Sequence, residues 1–325
     1  MDVYVAMKSP ERAEEVANEY DCAGLSADEK ENLYFNPALQ SYVDSNYSDA
    51  TLKFTQYLTK YPNGKFSQDA HFYAGNAYLR LKDTLHSLPH YEAYLEGPVA
   101  SYFEPVAYRI SAYYYERKDY EKAAAYYSKL EQYAAKPANI NAAKIGLMRC
   151  AFLRKDYKTA QNYANQVREI PGVTQNTKLE AEYALGMSAY YLNNYSSAAP
   201  SLEWIVKNTT TIKAAEAKYT LAIIQFKNSV WDSTLVLVKE LLKMKPSYNY
   251  WVAMGLILET RVHIQQGNYL EAEQTISAVI DFYPAKEEDG ILVEAQEIKL
   301  EIEKLKNPDK PVENDPLKTI EIKPE

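Results

Sequence analysis

The sequence has few helix-breaking residues, with 10 glycines and 15 prolines among 325 residues. Long helices are therefore permitted over most of the chain. No run of eighteen apolar residues occurs, so the sequence contains no candidate for a transmembrane helix. The formal net charge is −8, which argues against a protein that binds nucleic-acid phosphates through a basic surface.

Residues and motifs typical of catalytic and metal-binding sites are also scarce. Cys22 and Cys150 are the two cysteines, and their wide separation favours buried packing residues over a disulfide or half of a zinc site. His86 and His90 have the i, i+4 spacing of metal ligands on a helix, but Pro89 lies between them and favours surface or packing histidines. No phosphate-binding glycine loop, nucleophile elbow or zinc-finger spacing occurs. We therefore expect no catalytic, cofactor-binding or metal-binding residue, and a protein that is not an enzyme.

Tyrosine, in contrast, is abundant, with 31 residues, and it takes part in an internal repeat. A short polar residue is followed by an aromatic residue and, three positions later, by a small one. The spacings between successive aromatic positions are 37, 36, 37, 38, 36 and 38 residues. The motif occurs seven times, at Asn46-Tyr47, Asp83-Thr84, Asp119-Tyr120, Asp156-Tyr157, Asn194-Tyr195, Val230-Trp231 and Asn268-Tyr269.

Each unit is interpreted as a pair of helices. The segment before the motif has helical spacing of apolar residues, and the Asp or Asn can cap the start of the second helix. The small residue allows the partner helix to approach closely. Pro89 and Pro200 lie inside the second helix of units two and five, where a late start or a kink is expected. Prolines that cannot continue a helix close most units, at Pro62, Pro98, Pro137, Pro171, Pro246 and Pro284.

The pattern resembles the tetratricopeptide repeat (TPR), lengthened by two to four residues. Its early glycine corresponds to Gly75 and Gly186, its second-helix aromatic to Phe54, Tyr91 and Tyr127, and its closing proline to Pro62, Pro246 and Pro284. The segment 57–78 is similar to repeats of the Tol-Pal-associated coordinator and of outer-membrane-assembly lipoproteins. The chain as a whole resembles the C-terminal part of large envelope TPR proteins of Bacteroidota. The resemblance implies an all-α, right-handed superhelix of antiparallel helix pairs, a solenoid, closed by a C-terminal capping helix.

The two ends depart from the repeat. Residues 1–30 are expected to form a partial N-terminal repeat, with an atypical cap as the alternative. About seven helix pairs are expected over residues 31–286. A helix with apolar residues at helical spacing but no repeat motif is expected to cap the array over 287–306. Residues 307–325 contain four prolines among charged residues and are predicted to be a disordered tail.

A partner would bind along the concave wall that the first helices form in such an array. Tyrosine and arginine most often carry the binding energy of protein interfaces. Each residue of the wall could instead be a packing residue. The predicted partner-binding set is Phe72, Asn76, Tyr108, Ile145, Arg149, Tyr183, Met187, Tyr219 and Arg261.

The favoured interpretation is a non-enzymatic scaffold that binds a protein or peptide, without nucleic acid and without a cofactor. The resemblance places it in the periplasm or cell envelope, with a cytoplasmic adaptor as the alternative. The chain is expected to be a monomer or to self-associate weakly. A self-associating structural or spacer element is the second possibility, and an enzyme or glycan-handling accessory is a third.

Overall fold

The computed structural model describes residues 26–284 and 289–307, together with Arg12 and Glu15. These residues form fifteen α-helices and contain no strand, which confirms the predicted all-α class. The partial repeat and tail predicted for the two ends, and Cys22, lie almost entirely outside the described residues. The helices are α1 Ala27–Val43, α2 Tyr47–Lys60, α3 Ser67–Arg80, α4 Thr84–Glu96, α5 Phe103–Glu116, α6 Tyr120–Tyr133, α7 Pro137–Leu153, α8 Tyr157–Arg168, α9 Gln175–Tyr191, α10 Tyr195–Asn208, α11 Ile212–Lys227, α12 Trp231–Leu242, α13 Asn249–Gln265, α14 Tyr269–Phe282 and α15 Ile291–Lys306.

The chain divides into two compact units, Met1–Lys155 and Asp156–Glu325. In the first unit, every helix from α1 to α6 packs against the next one along the chain, the last of these contacts being that of α6 with α7. The same holds for α8 to α14 in the second unit. Successive odd-numbered helices also touch, as α1 and α3 do in unit one and α9, α11, α13 and α15 do in unit two. This stacking of helix pairs is the TPR type of repeat fold that the sequence motif predicted.

The small residue of each motif lies on the buried side of its second helix. All seven are fully buried, with no exposed surface. A larger side chain would hold the paired helices apart, so the interior can close only around a small one. The seven are Ala50, Ser87, Ala123, Ala160, Ala198, Thr234 and Ala272.

A left-handed residue reverses the chain between the two helices of each pair. In the turn between α5 and α6, the amide of Lys118 donates to the carbonyl of Tyr115 and the amide of Asp119 donates to that of Tyr114, both at 3.0 Å. This is the Schellman arrangement that satisfies the last carbonyls of a helix. Glycine is the usual residue there, yet only one of the seven positions carries it. The residues with positive φ, between 57° and 74°, are Ser45, Lys82, Lys118, Lys155, Asn193, Ser229 and Gly267.

The polar residue that follows caps the second helix in four of the seven units. The side chains of Asp83, Asp119, Asp156 and Asn194 accept a hydrogen bond from the backbone amide three residues on. The predicted caps Asn46 and Asn268 make no such bond, and Val230 cannot. The backbone turn is therefore the shared feature of the seven units, and the side-chain cap is an addition to it.

The aromatic residue of the motif packs against the end of the preceding helix. The two partners lie five positions apart in the sequence, and the turn brings their rings together. The ring centroids are 5.1–6.0 Å apart in four turns, a distance typical of favourable aromatic pairs. These pairs are Tyr42–Tyr47, Tyr115–Tyr120, Tyr190–Tyr195 and Phe226–Trp231.

The two interior prolines do not delay their helices. Helix α4 begins at Thr84 and contains Pro89, and α10 begins at Tyr195 and contains Pro200, so the expected late start is wrong. The caps at Asp83 and Asn194 fix the starts. A proline removes the hydrogen bond to the carbonyl four residues earlier, and its ring crowds that carbonyl. Those carbonyls belong to exposed residues in the first turn, where water can replace the lost donor.

Candidate protein-binding surface

In unit one, Phe72 and Asn76 are held by neighbouring side chains. The ring of Phe72 on α3 stacks on Tyr102, with centroids 3.9 Å apart and planes at 5°. The carbonyl oxygen of Asn76 accepts a hydrogen bond from the hydroxyl of Tyr91 at 2.9 Å. Both side chains are half-buried, so each offers a partner an edge rather than a whole side chain.

The hydroxyl of Tyr91 connects three helices of unit one. It donates to Asn76 on α3 and accepts from the guanidinium of Arg109 on α5 at 2.8 Å, while Tyr91 itself lies on α4. Burial raises the pKa of Tyr91, although the charge of Arg109 opposes the shift. The hydroxyl therefore stays protonated at neutral pH and can make both bonds. The sequence identified Tyr91 and Asn76 by their repeat positions but gave no sign that Arg109 joins them.

The other predicted residues of unit one differ in accessibility. Tyr108 on α5 is 47% exposed, the largest exposure among the nine predicted residues. Ile145 and Arg149 on α7 are half-buried. Tyr108 is therefore the member of the set that could bury most new surface against a partner in unit one.

In unit two, Tyr183 links two first helices through a half-buried carboxylate. Its hydroxyl on α9 donates to Glu216 on α11 at 2.9 Å, and the ammonium of Lys213 lies 4.8 Å from the centre of its ring. Burial raises the pKa of Glu216 above its usual value, although the hydrogen bond from Tyr183 lowers it. Tyr183, Glu216 and Lys213 thus form a fixed cluster of an aromatic ring, an acid and a cation.

Two predicted residues of unit two are largely removed from solvent. Met187 is 3% exposed, and the hydroxyl of Thr220 lies 3.8 Å from its sulfur. Tyr219 is 9% exposed and packs against Trp251, with ring centroids 5.5 Å apart. Both residues pack between successive first helices. They are therefore packing residues, and they expose little surface to a partner.

Arg261 on α13 forms an ion pair with Glu294 on α15 at 3.1 Å. Both side chains are about two-fifths exposed, so the pair lies at the surface. Nearby, Tyr250 packs edge-on against Trp251 with ring centroids 5.0 Å apart and is 40% exposed. The repeat pattern does not single out Tyr250, because this residue lies in the first turn of its helix, outside the repeat positions that define the wall.

Side chains on α9, α11, α13 and α15 meet between successive odd-numbered helices. We call this set of side chains the first-helix face of unit two. Contacts between successive first helices fix Tyr183, Tyr219 and Arg261, whereas Tyr191 stacks on Tyr157 of α8 and Tyr250 packs against its neighbour Trp251. Such fixed side chains lose little conformational freedom when a partner binds. The face comprises Tyr183, Tyr191, Glu216, Tyr219, Tyr250, Trp251, Arg261 and Glu294.

The histidines do not converge on a metal site. His86 bonds to Asp83 at 2.7 Å, and His90 lies 3.1 Å from His71, measured between their Nδ1 atoms. Across the described ranges no group of three or more His, Cys, Asp or Glu residues could hold a metal ion. Burial lowers the pKa of His90 to about 4, so this histidine is neutral at physiological pH.

Cys150 is a buried free thiol in unit one. Burial raises its pKa to about 11, against the effect of Arg154 and Arg149. A thiol with this pKa carries almost no thiolate at neutral pH and is a poor nucleophile.

Among the helices described, none is both long and apolar enough to cross a bilayer.

A family model described as 26S proteasome subunit RPN7 matches residues 91–267, more than half of the chain. The chain belongs to the RPN7 family. The match includes all of α5 to α13. The RPN7 family is built from helical repeats, in agreement with the TPR motif and with the helix pairs of both units. No curated protein matches the chain.

Solved structures with similar folds include two bacterial TPR proteins. A TPR protein from Parabacteroides merdae is 12% identical with a TM-score of 0.38, over 83% of this chain and 98% of that one. The C-terminal part of a TPR protein from Cytophaga hutchinsonii is 16% identical with a TM-score of 0.45, over 78% and 97%. A Rap protein in complex with competence and sporulation factor is 12% identical with a TM-score of 0.37, over 86% and 88%.

Proposed function

We propose that this chain is a non-enzymatic scaffold that binds a partner protein or peptide along the first helices of its helix pairs. The observation that carries the proposal is the first-helix face of unit two. There the Tyr183–Glu216 hydrogen bond and the Arg261–Glu294 ion pair fix aromatic and charged groups at positions between successive pairs. An ordered surface with aromatic residues and arginine is typical of the central part of protein interfaces.

The accessible residues of this surface are tyrosines. Tyr191 and Tyr250 combine large ring area with a hydroxyl that can donate or accept, and Tyr108 on α5 offers the same combination separately in unit one. Tyr183 and Arg261 border them and can contribute their exposed edges. Met187 and Tyr219 would support these residues from beneath, so in this proposal they position the surface and do not contact the partner.

The RPN7 family carries the name of a subunit of the 26S proteasome, which supports a role as one component of a larger protein assembly. The envelope-type repeat in segment 57–78 supports a periplasmic or cell-envelope location, with the cytoplasm as the alternative. We propose the envelope location on this resemblance.

Self-association through the end of the array is a second candidate, because Val293 on α15 is largely exposed. The buried residues of α15 are Ile291, Ala295, Ile298 and Ile302, and they face the last helix pair. Glu297, Glu301 and Lys304 on its other sides are exposed. A charged outer side opposes the stacking of a second copy, so a capping role is favoured for α15.

The test is an affinity purification from envelope and cytoplasmic extracts with a triple variant, Tyr108→Ser, Tyr191→Ser and Tyr250→Ser. Tyr133 on the second helix α6 is similarly exposed, so Tyr133→Ser is the matched control. A protein retained by the wild type and by the control, and lost by the folded triple variant, is the expected result. Equal retention by all three proteins would contradict the proposal.

A further inference from the structure

A groove on the second-helix side of unit two takes no part in the proposed function. Its walls are α10 and α12, and its floor is α11. It consists of two adjoining cavities of about 430 and 380 Å³, which share Glu203, Leu221 and Leu237 as lining residues. None of its residues belongs to the first-helix face, so the two surfaces can be tested separately.

The middle of the groove is apolar. Leu221 forms its base and is itself buried, Trp204 and Leu237 are half-buried, and Val236 is 56% exposed. The ammonium of Lys178 lies 5.4 Å from the ring centre of Trp204 and keeps that ring in place. The groove exists because α10 and α12 each bury their inner residues, such as Leu202 and Val238, and leave a gap above α11.

The two halves of the groove differ in charge. The half beside the start of α12 is lined by Glu203 and Asp232 together with Gln225 and Ser233, and no cation lines it. No ion pair or hydrogen bond of either carboxylate occurs within the described part of the chain. The other half contains Lys207 and an ion pair between Lys218 and Glu240 at 2.9 Å. Because the shared Glu203 also lines this second half, its two cations face two carboxylates, so one half of the groove is acidic and the other is balanced in charge.

The spacing of the walls matches a helix. Residues that line the walls recur at intervals of three and four, at positions 200, 203 and 207 on α10 and 233, 236 and 240 on α12. Ridges with this spacing accept the side-chain ridges of another helix. The lined stretch of α12 runs from Asp232 to Glu240, which is roughly 12 Å along a helix axis and corresponds to about two turns of a ligand helix.

We infer that this groove binds an amphipathic helix of a partner protein. Apolar side chains of that helix, at i, i+3 or i+4 and i+7, enter the cavities over Trp204, Leu221 and Val236. A lysine or arginine of the same helix lies over Glu203 and Asp232. The acidic half thus selects basic amphipathic helices over acidic ones, since an acidic helix would place like charges together.

The experiment selects helical peptides from a phage-displayed library on the immobilised wild-type chain and then measures the affinity of synthetic copies by fluorescence anisotropy. Three variants are compared, each first shown by circular dichroism to be folded. Val236→Glu places a charge in the apolar part, and Glu203→Lys with Asp232→Lys reverses the acidic half. Leu270→Glu on α14 is the matched control, because Leu270 is about as exposed as Val236 but lies outside the groove.

We expect the enriched peptides to share apolar residues at helical spacing and an adjacent lysine or arginine. Val236→Glu should weaken their binding at least tenfold, and Leu270→Glu should leave it unchanged. The charge-reversed variant should prefer a peptide in which glutamate replaces the basic residue. Tyr191→Ser in the first-helix face should have no effect. Peptides that lack a basic residue, peptides that bind Val236→Glu equally well, or no enrichment over the Val236→Glu surface would each overturn the inference.

Discussion

The ring of Tyr127 on α6 lies directly against the backbone of Gly146 on α7. A methyl group on residue 146 would lie 2.4 Å from Cε2 of this ring, well inside van der Waals contact. Gly75 and Gly186 make similar approaches, to Tyr91 and Leu202, within their own helix pairs. Gly146 instead meets the second helix of the preceding pair. The absence of a side chain there sets how closely consecutive pairs of unit one stack.

Gly146→Ala should therefore destabilise the protein. Overpacking typically costs about 1–3 kcal/mol, and the better helix propensity of alanine recovers up to about 1 kcal/mol. Urea denaturation measures the change in the free energy of unfolding. Gly255→Ala is the control, because its methyl would come closest to the flexible end of Leu241, at 3.1 Å, and would lie at an ordinary contact distance of 3.5 Å from Val238. Tyr127→Leu should rescue Gly146→Ala in part, and an additive double variant would contradict the steric explanation.

The left-handed turn residues predict a stabilising substitution. Lys118 is exposed and has a φ of 64°, a conformation that costs a residue with a side chain about 1–2 kcal/mol. Lys118→Gly should raise the free energy of unfolding by about 0.5–1 kcal/mol, after the larger entropy of glycine in the unfolded chain is subtracted. Lys118→Ala keeps the strain and should have little effect. Gly267→Ala, at a φ of 74°, should destabilise. Destabilisation by Lys118→Gly would show that the turn is not strained.

The caps of the second helices predict unequal effects of the same substitution. The side chain of Asp119 accepts from the amide of Lys122 at 3.1 Å, whereas Asn268 makes no bond to the first turn of its helix. Asp119→Ala should cost about 1 kcal/mol, and Asn268→Ala should cost clearly less. Thermal or urea denaturation of the two variants checks the difference. Equal losses would mean that the backbone turn alone determines where these helices start.

The His71–His90 pair predicts a dependence of stability on pH. Burial, with smaller contributions from His71 and His86, lowers the pKa of His90 from 6.5 to about 4 in the folded protein. Below pH 6.5 the unfolded chain therefore binds a proton that the folded protein does not, and stability falls as the pH falls toward 4. The slope from one such group is at most about 1.4 kcal/mol per pH unit. His90→Gln should flatten the stability profile between pH 6.5 and 4, and an unchanged profile would contradict the lowered pKa.

Much of the fold follows from the sequence because its period is set by packing. The small residue of each unit, such as Ala123 or Ala272, is buried wherever the motif places it. The turns were not predicted, because Lys118 and Ser229 adopt a conformation usually associated with glycine. The aromatic residue of the motif was recognised, but not its partner at the end of the preceding helix.

The candidate surface was harder to predict. The spacing of residues in the sequence assigns Met187, Tyr219 and Tyr183 to the same wall. The burial of each side chain, however, depends on how the next first helix packs against it. The link from Tyr91 to Arg109 joins different repeats, and a motif within one repeat carries no information about it. The groove between α10 and α12 depends on the space left between two second helices, which no single helix pattern specifies.

The most direct test of the scaffold proposal places a photoreactive amino acid at Tyr191, on the first-helix face, and in a second protein at Tyr133, on a second helix. The two tyrosines have nearly equal exposure, so any difference in cross-linking reports on location. Cross-links to one defined protein from position 191, and none to that protein from position 133, are predicted. Cross-links to the same proteins from both positions, or from position 133 alone, would contradict binding along the first helices.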